Sequence, residues 1–226
     1  MEEKEFVHGI IVEEVKNRFL CVVNIDGTNE LCYIPSSCRL SNFLQIEGRR
    51  VILIPTASSK ARTRYSVFAI KIGQRHIPVN LSGMNSVVKN QLSKRCFAFL
   101  GKRRIIHREL SIDGYKCDLY LPETNTIIEV KCILSLGEEA FFPAVYSERA
   151  VHQLQSCAEL LDKGYKVCYL FVSLNPSVNK VSLNYHFPEF QENFRNCVDK
   201  GMVVYGLTAK MKGNAINLSK RIIVDI

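Results

Sequence analysis

The chain has no apolar run approaching the ~18 residues that a membrane-spanning helix requires, so no span is expected. It also has no Cys-x-x-Cys pair: its nine cysteines are scattered and odd in number, and Cys21, Cys117 and Cys168 sit inside apolar runs. Thiols in such runs act as small hydrophobes. A disulfide frame and a zinc site are therefore not indicated, and a reducing, cytoplasmic setting is expected. Neither a Gly-x-Ser-x-Gly elbow nor a Gly-rich loop ending in Lys-Ser/Thr occurs, which removes the serine-hydrolase and P-loop readings. The histidines His8, His76, His107, His152 and His186 show no paired metal-ligand spacing. Met1 to Glu5 is acidic and lacks an apolar core, unlike a secretory signal.

Acids are missing from one long stretch. Between Lys60 and Arg108 there is no Asp or Glu, whereas Lys60, Arg62, Arg64, Lys71, Arg75, Lys89, Lys94, Arg95, Lys102, Arg103, Arg104 and Arg108 all fall there. A net charge of +8 placed this unevenly creates a field that attracts a polyanion, and neutralising phosphates releases counterions. Arg62, Arg64, Lys102, Arg103 and Arg104 are candidate nucleic-acid contacts. The alternative is a solvated basic face with no partner.

What is present divides near Pro78. The runs Phe6 to Val15, Phe19 to Asn24, Leu31 to Ile34, Arg50 to Pro55 and Tyr65 to Ile72 are short and rich in β-branched or aromatic residues. Turn clusters such as Asp26-Gly27-Thr28-Asn29 separate them, a pattern that fits a five-stranded barrel of the OB type. Beyond Pro78 the chain reads as helix (Asn85 to Leu92), strands, helix, an apolar strand (Lys166 to Ser173), helix (Pro188 to Lys200) and strand (Met202 to Leu207). Ser147 is a good N-cap for the second helix, whose stripe is Val151, Leu154, Cys157, Ala158 and Leu161. The fold class expected is a two-domain α+β or α/β protein. Residues 1–78 form an OB-like β-barrel, and residues 79–226 a restriction-endonuclease-like mixed sheet with flanking helices.

Within that second part lies the densest chemistry. Gly114 to Leu121 and Thr126 to Leu134 bracket the turn Pro122-Glu123-Thr124-Asn125, a hairpin signal. A turn centred between Glu123 and Thr124 sets Asp118 opposite Glu129. Leu119, Leu121, Ile128, Val130 and Cys132 then share one face, and Lys116, Asp118, Tyr120, Glu129 and Lys131 the other. Two opposed carboxylates repel. A divalent cation between them would remove the repulsion, and Lys131 would orient or activate a water. The competing reading is a solvated hairpin face on which Lys116 and Lys131 neutralise the acids diagonally. Glu-x-Lys alone is common: Glu14-Val15-Lys16 repeats it with no preceding aspartate.

Several segments, in this order, resemble the sugar fermentation stimulation protein (SfsA) family. They are Asn17-Arg18-Phe19-Leu20, Val79-Asn80 with Asn85, Cys117-Asp118-Leu119, Ile128-Glu129-Val130-Lys131, Phe142-Pro143 and Ser147-Glu148-Arg149. The chain departs from the family pattern at Ala144, Ala150, Gln153 and Asn90, and in the loop Tyr33 to Cys38. The resemblance implies an OB-like domain followed by a nuclease-like domain of the PD-(D/E)xK type. On it, Asp118, Glu129 and Lys131 would be catalytic. Asp118, Glu129 and the Val130 carbonyl would hold Mg²⁺ or Mn²⁺. Arg149, with Glu148 and His152 beside it, would grip phosphate from the helix start, the alternative being a plain capped helix with a solvated first turn. Two functions stay open: a metal-dependent nuclease acting on DNA or RNA, and a non-catalytic DNA-binding regulator of sugar metabolism genes. The oligomeric state, homodimer included, is open as well.

Overall fold

The computed structural model describes residues 6–16, 19–36, 39–42, 44–56, 61–79, 81, 83–212 and 215–226. Alternating burial along the first half makes a closed barrel. Strands β1 (Val7–Glu14), β2 (Leu20–Ile25), β3 (Thr28–Tyr33), β4 (Arg50–Pro55) and β5 (Tyr65–Ile72) are the five runs read from the sequence. β1 pairs antiparallel with both β2 and β4, and β4 with β5. A short parallel pairing of β3 with β5, Cys32 opposite Tyr65, closes the ring. Such closure removes the exposed edges of an open sheet. Asp26 and Gly27, both at positive φ (49° and 87°), form the two-residue turn between β2 and β3, and this turn twists as the strands do. Ile11, Cys21, Val23, Cys32, Leu53 and Val67 fill the interior.

A sixth strand, β6 (Arg75–Pro78), extends the barrel sheet through a hairpin with β5. It is absent from the sequence expectation because it is four residues long, polar at its start and ends on proline. It touches the second half of the protein, which begins with α1 (Met84–Gln91). Then follow β7 (His107–Arg108), β8 (Ser111–Ile112), β9 (Tyr115–Lys116), β10 (Leu119–Leu121), β11 (Thr126–Ile133) and β12 (Glu139–Phe142). Next come α2 (Glu148–Asp162), β13 (Lys166–Ser173), β14 (Lys180–Leu183), α3 (Pro188–Asp199), β15 (Val203–Lys212), β16 (Ala215–Arg221) and β17 (Ile223–Asp225).

The main sheet runs β16-β15-β13-β11-β10-β7. Its centre, β11-β13-β15, is parallel. Covered on both faces, β13 reads as a near-continuous apolar run instead of an alternation. A separate parallel sheet, β12-β14-β17, was not foreseen, since its strands are only three or four residues long.

Two apolar layers sandwich the main sheet. One lies between it and α2 and α3, built on Leu154, Cys157, Tyr169, Phe171, Phe190 and Phe194. The other is continuous with the barrel interior: Ile11, Val23 and Leu53 join Ile77, Val79, Met84, Val88, Leu119, Ile128 and Leu170 in one buried cluster. The change of pattern near Pro78 thus marks a change of architecture without a break in the core.

Glu14, the acid of the second Glu-x-Lys, is buried at 3% exposure. Its carboxylate accepts from the backbone N–H groups of Leu40 (2.9 Å) and Ser41 (2.7 Å), and the Arg39 guanidinium lies 3.8 Å away. It fastens the 3₁₀ turn Leu40–Asn42 to the end of β1. Glu14→Ala strands two backbone donors and should destabilise folding by about 2–3 kcal/mol, read from denaturant unfolding.

Candidate active site

The β10–β11 hairpin has the register expected. Leu119 pairs with Ile128, Tyr120 with Ile127 and Leu121 with Thr126, so Asp118, just before β10, comes beside Glu129 on β11. The turn is pinned by Asn125 at φ 52° and by the Tyr120 hydroxyl donating to Asn125 Oδ1 at 2.8 Å. At Asp118 the strand ends, and its side chain takes over the ladder. The Val130 N–H donates to Asp118 Oδ2 at 2.9 Å, and Asn85 Nδ2 on α1 donates to Oδ1 at 2.8 Å. The Asp118 N–H reaches Glu129 Oε1 at 3.4 Å. Because N–H and C=O of one strand residue point the same way, the Val130 carbonyl faces the Asp118 flank as well.

Glu129 is fully buried. Gln153 Nε2 on α2 and Lys131 Nζ donate to its Oε2 at 3.4 and 3.3 Å. Lys131 Nζ also donates to Gln153 Oε1 at 2.6 Å and stands 5.5 Å above the buried Tyr169 ring. Burial pushes the Glu129 carboxyl above the usual carboxylate range; Lys131 opposes this, and the Asp118 charge adds to it. The Tyr115 hydroxyl is buried with no partner at hydrogen-bond geometry, yet close enough to Glu129 for that charge to help burial raise its pKa. Two acids and one lysine under low dielectric leave a deficit of positive charge.

Two parts of the competing reading of the hairpin do not hold. The polar side of the hairpin is not a solvated face, because α2 covers Glu129 and Lys131. Nor does Lys116 neutralise the acids: it is exposed and pairs with Glu109 at 2.6 Å. Glu109 is correspondingly engaged outside the site, its carboxyl held below the usual range by that lysine. Asn85 and Gln153 are the residues whose roles the sequence reading missed. Gln153 counted there only as a departure, yet it binds both Glu129 and Lys131. Its signal was its place beside the apolar stripe of α2, next to Leu154.

The basic candidates separate likewise. Arg62 and Arg64 are exposed, with the Arg64 guanidinium 5.1 Å from the Tyr65 ring centre. Lys102 and Arg104 are exposed and line an open cleft of about 480 Å³ with Lys89 and Ile106. Arg103 is committed elsewhere. Its guanidinium donates to the carbonyls of Leu92 (2.5 Å), Gly101 (2.6 Å), Lys94 (3.3 Å) and Ser93 (3.5 Å), tying down the segment after α1. Arg149 is exposed one turn before Gln153 on the same side of α2. Glu148 and His152 form a solvated first turn under the Ser147 cap, with His152 bonded to Gln155. Lys60 lies outside the described residues.

The raised Glu129 pKa has a sign that can be checked in metal-free buffer. The folded state holds this proton to higher pH than the unfolded chain, so stability falls as pH rises from the unfolded to the folded value. Above that window the ionised carboxylate is a cost that a neutral isostere avoids. Glu129→Gln should therefore flatten this decline and melt no lower than the parent at neutral pH, measured by calorimetry from pH 4 to 8.

Comparison with known proteins agrees with the two-part fold. Family models described as the SfsA N-terminal OB domain and the sugar fermentation stimulation protein RE domain match residues 15–79 and 82–215. A sugar fermentation stimulation protein homolog from Ruminiclostridium cellulolyticum is 25% identical over 236 residues, covering all of both chains. One from Methanothermobacter thermautotrophicus is 30% identical over 201 residues, covering 86% of this chain and 82% of the relative. The structure of Pyrococcus furiosus SfsA in complex with Ca²⁺ superposes with a TM-score of 0.86 at 22% identity, covering 100% of this chain and 98% of that one. The chain belongs to the sugar fermentation stimulation protein family.

Proposed function

We propose that the protein binds nucleic acid and hydrolyses its phosphodiester bonds at a divalent-metal site formed by Asp118 and Glu129. The observation that carries this reading is the opposed carboxylate pair, held rigid by Asn85, Val130 and Gln153, with too little positive charge beside it. The donor set suits a hard cation. Asp118 Oδ1, Asp118 Oδ2 and Glu129 Oε1 each accept one hydrogen bond and keep a lone pair, whereas Glu129 Oε2 already accepts two. The Val130 carbonyl turns the same way, and Mg²⁺ takes few carboxylates with several waters. Among the described residues no cluster of three His, Cys, Asp or Glu side chains exists, so such an ion would rest on these oxygens. The related Pyrococcus furiosus protein was solved with Ca²⁺, another oxygen-seeking cation.

When bound, Mg²⁺ or Mn²⁺ would supply Lewis-acid polarisation of a phosphate oxygen and lower the pKa of a water. The protein does the rest. Asp118 and Glu129 hold their oxygens at the end of β10 before any ligand arrives. Lys131 spends two donors on Glu129 and Gln153, which leaves its third proton for a water or a non-bridging phosphate oxygen. Gln153 orients that ammonium. Arg149, one turn above, and the basic residues Arg62, Arg64, Lys102 and Arg104 hold the phosphate backbone.

One observation favours a second reading, the non-catalytic DNA-binding regulator. Glu129 is fully buried, and Lys131 already has two protein partners, as in a purely structural triad. The two readings part on metal. Divalent ion at 100 times its Kd should stabilise the parent by about 2.7 kcal/mol and leave Asp118→Asn and Glu129→Gln unmoved. Lys131→Ala should keep the metal shift and lose cleavage of DNA and RNA substrates. A parent with neither a metal shift nor metal-dependent cleavage is the regulator.

Binding is tested separately. Reversing Arg62, Arg64, Lys102 and Arg104 to glutamate should weaken binding to every sequence alike and flatten the slope of log K against log salt by about 1 for each phosphate no longer neutralised. Unchanged affinity and slope would remove these residues from the surface.

A further inference from the structure

The barrel's outer face carries a second concentration of charge, far less compensated than the first. Strand register sets it out. Ile10 on β1 pairs with Arg50 on β4, and Val51 pairs with Ile70, so Arg50 stands opposite Lys71 on β5. Lys71 pairs in turn with His76 on β6. Arg50, Lys71 and His76 therefore form one cross-strand row, with strands about 4.8 Å apart. His8, two residues before Ile10, points to the same side. Like charges directly opposite on a ladder destabilise it. Among the described residues none of these four side chains makes an ion pair or hydrogen bond with a protein group, unlike the lysines Lys116, Lys131, Lys163, Lys180 and Lys200. Burial holds His76 below the usual imidazole range, and Lys71 and His8 lower it further. All four line a concave space of about 570 Å³, whose one acid is Asp26. That volume is within the ~300–1,000 Å³ of small-ligand sites.

We infer that this row is a phosphate-binding site on the barrel, separate from the Asp118–Glu129 centre, in which Arg50, Lys71, His76 and His8 converge on a phosphate oxyanion. Two cations, Arg50 and Lys71, opposed across neighbouring strands with two imidazoles beside them, take the counter-charge that the fold withholds. Arg50 provides the forked donor suited to phosphate, Lys71 a point charge, and the imidazoles two more N–H groups. No Phe, Tyr or Trp lines the space, so it lacks the large stacking platform of base-reading barrels, and phosphate is the chemistry it recognises. The phosphate belongs to a small phosphorylated molecule or to the backbone of a nucleic acid, and the site reads the same group in both. The inference goes beyond the nuclease reading and stands if that reading fails, because none of its residues is in the catalytic site.

The test uses metal-free protein with two probes, pyrophosphate and a short single-stranded DNA, followed by calorimetry and by the His76 ring resonances. Arg50→Gln with Lys71→Gln should weaken binding of at least one probe by about tenfold or more, and Lys71→Arg should largely restore it. The bound probe should raise the His76 pKa, since an anion beside Lys71 and His8 opposes their effect. Loss of pyrophosphate binding identifies a small-molecule phosphate; loss confined to DNA identifies the backbone. Removing like charge from an exposed row should leave the melting temperature unchanged or higher, so misfolding is not the expected cause. If both probes bind parent and double variant equally, or bind neither, the inference is overturned.

Discussion

The candidate site turns on one substitution in a ladder: where β10 ends, the Asp118 carboxylate, and not a backbone carbonyl, accepts from the Val130 N–H. That exchange has a cost and a use. It places an anion beside Glu129 in a buried sheet, where like charges repel strongly. Asn85 answers from α1 and Gln153 from α2, so helices on both sides of the sheet are required to hold the pair. The continuous core from the barrel to α1, through Ile77, Val79 and Met84, ties the position of Asn85 to the barrel itself. The barrel thereby helps to set the site's geometry as well as extending the basic surface.

Much of this was legible in the residues. The hairpin register followed from turn chemistry and period two alone, because both strands carry apolar residues on one side and the turn has Pro and Asn in its four positions. The barrel strands were legible for the same reason: closed small barrels alternate cleanly and are punctuated by turns such as Asp26-Gly27. Short elements were not legible. β6 and the β12-β14-β17 sheet are three or four residues long, below the length at which alternation can be distinguished from chance.

The side-chain partners were the harder matter, and charge was the reason. A lysine near an acid in sequence says little about which acid it meets in space. Lys116, which the competing reading set against the hairpin acids, sits on Glu109. Arg103 looked like a phosphate ligand in an acid-free stretch and is spent on four carbonyls. Of the two Glu-x-Lys motifs only the second in the chain has a preceding aspartate, and although both glutamates are buried their partners differ: Glu14 is saturated by backbone donors of the turn it fastens, whereas Glu129 has a second carboxylate for a neighbour. Gln153 and Asn85 carry no charge, so nothing in the sequence pattern assigns them a partner. They are nonetheless what aims the charged groups.

A carboxylate pair kept close and under-neutralised is stable as metal site or as proton trap, and the two differ in what stands between the acids. Crystals grown with Mn²⁺ and measured for its anomalous scattering would show which is present. The account predicts a peak about 2.0–2.2 Å from oxygens of both Asp118 and Glu129 and near the Val130 carbonyl, lost in Asp118→Asn. A parent crystal with no such peak, and with Glu129 still bonded to Lys131 and Gln153 as its full complement, would contradict it.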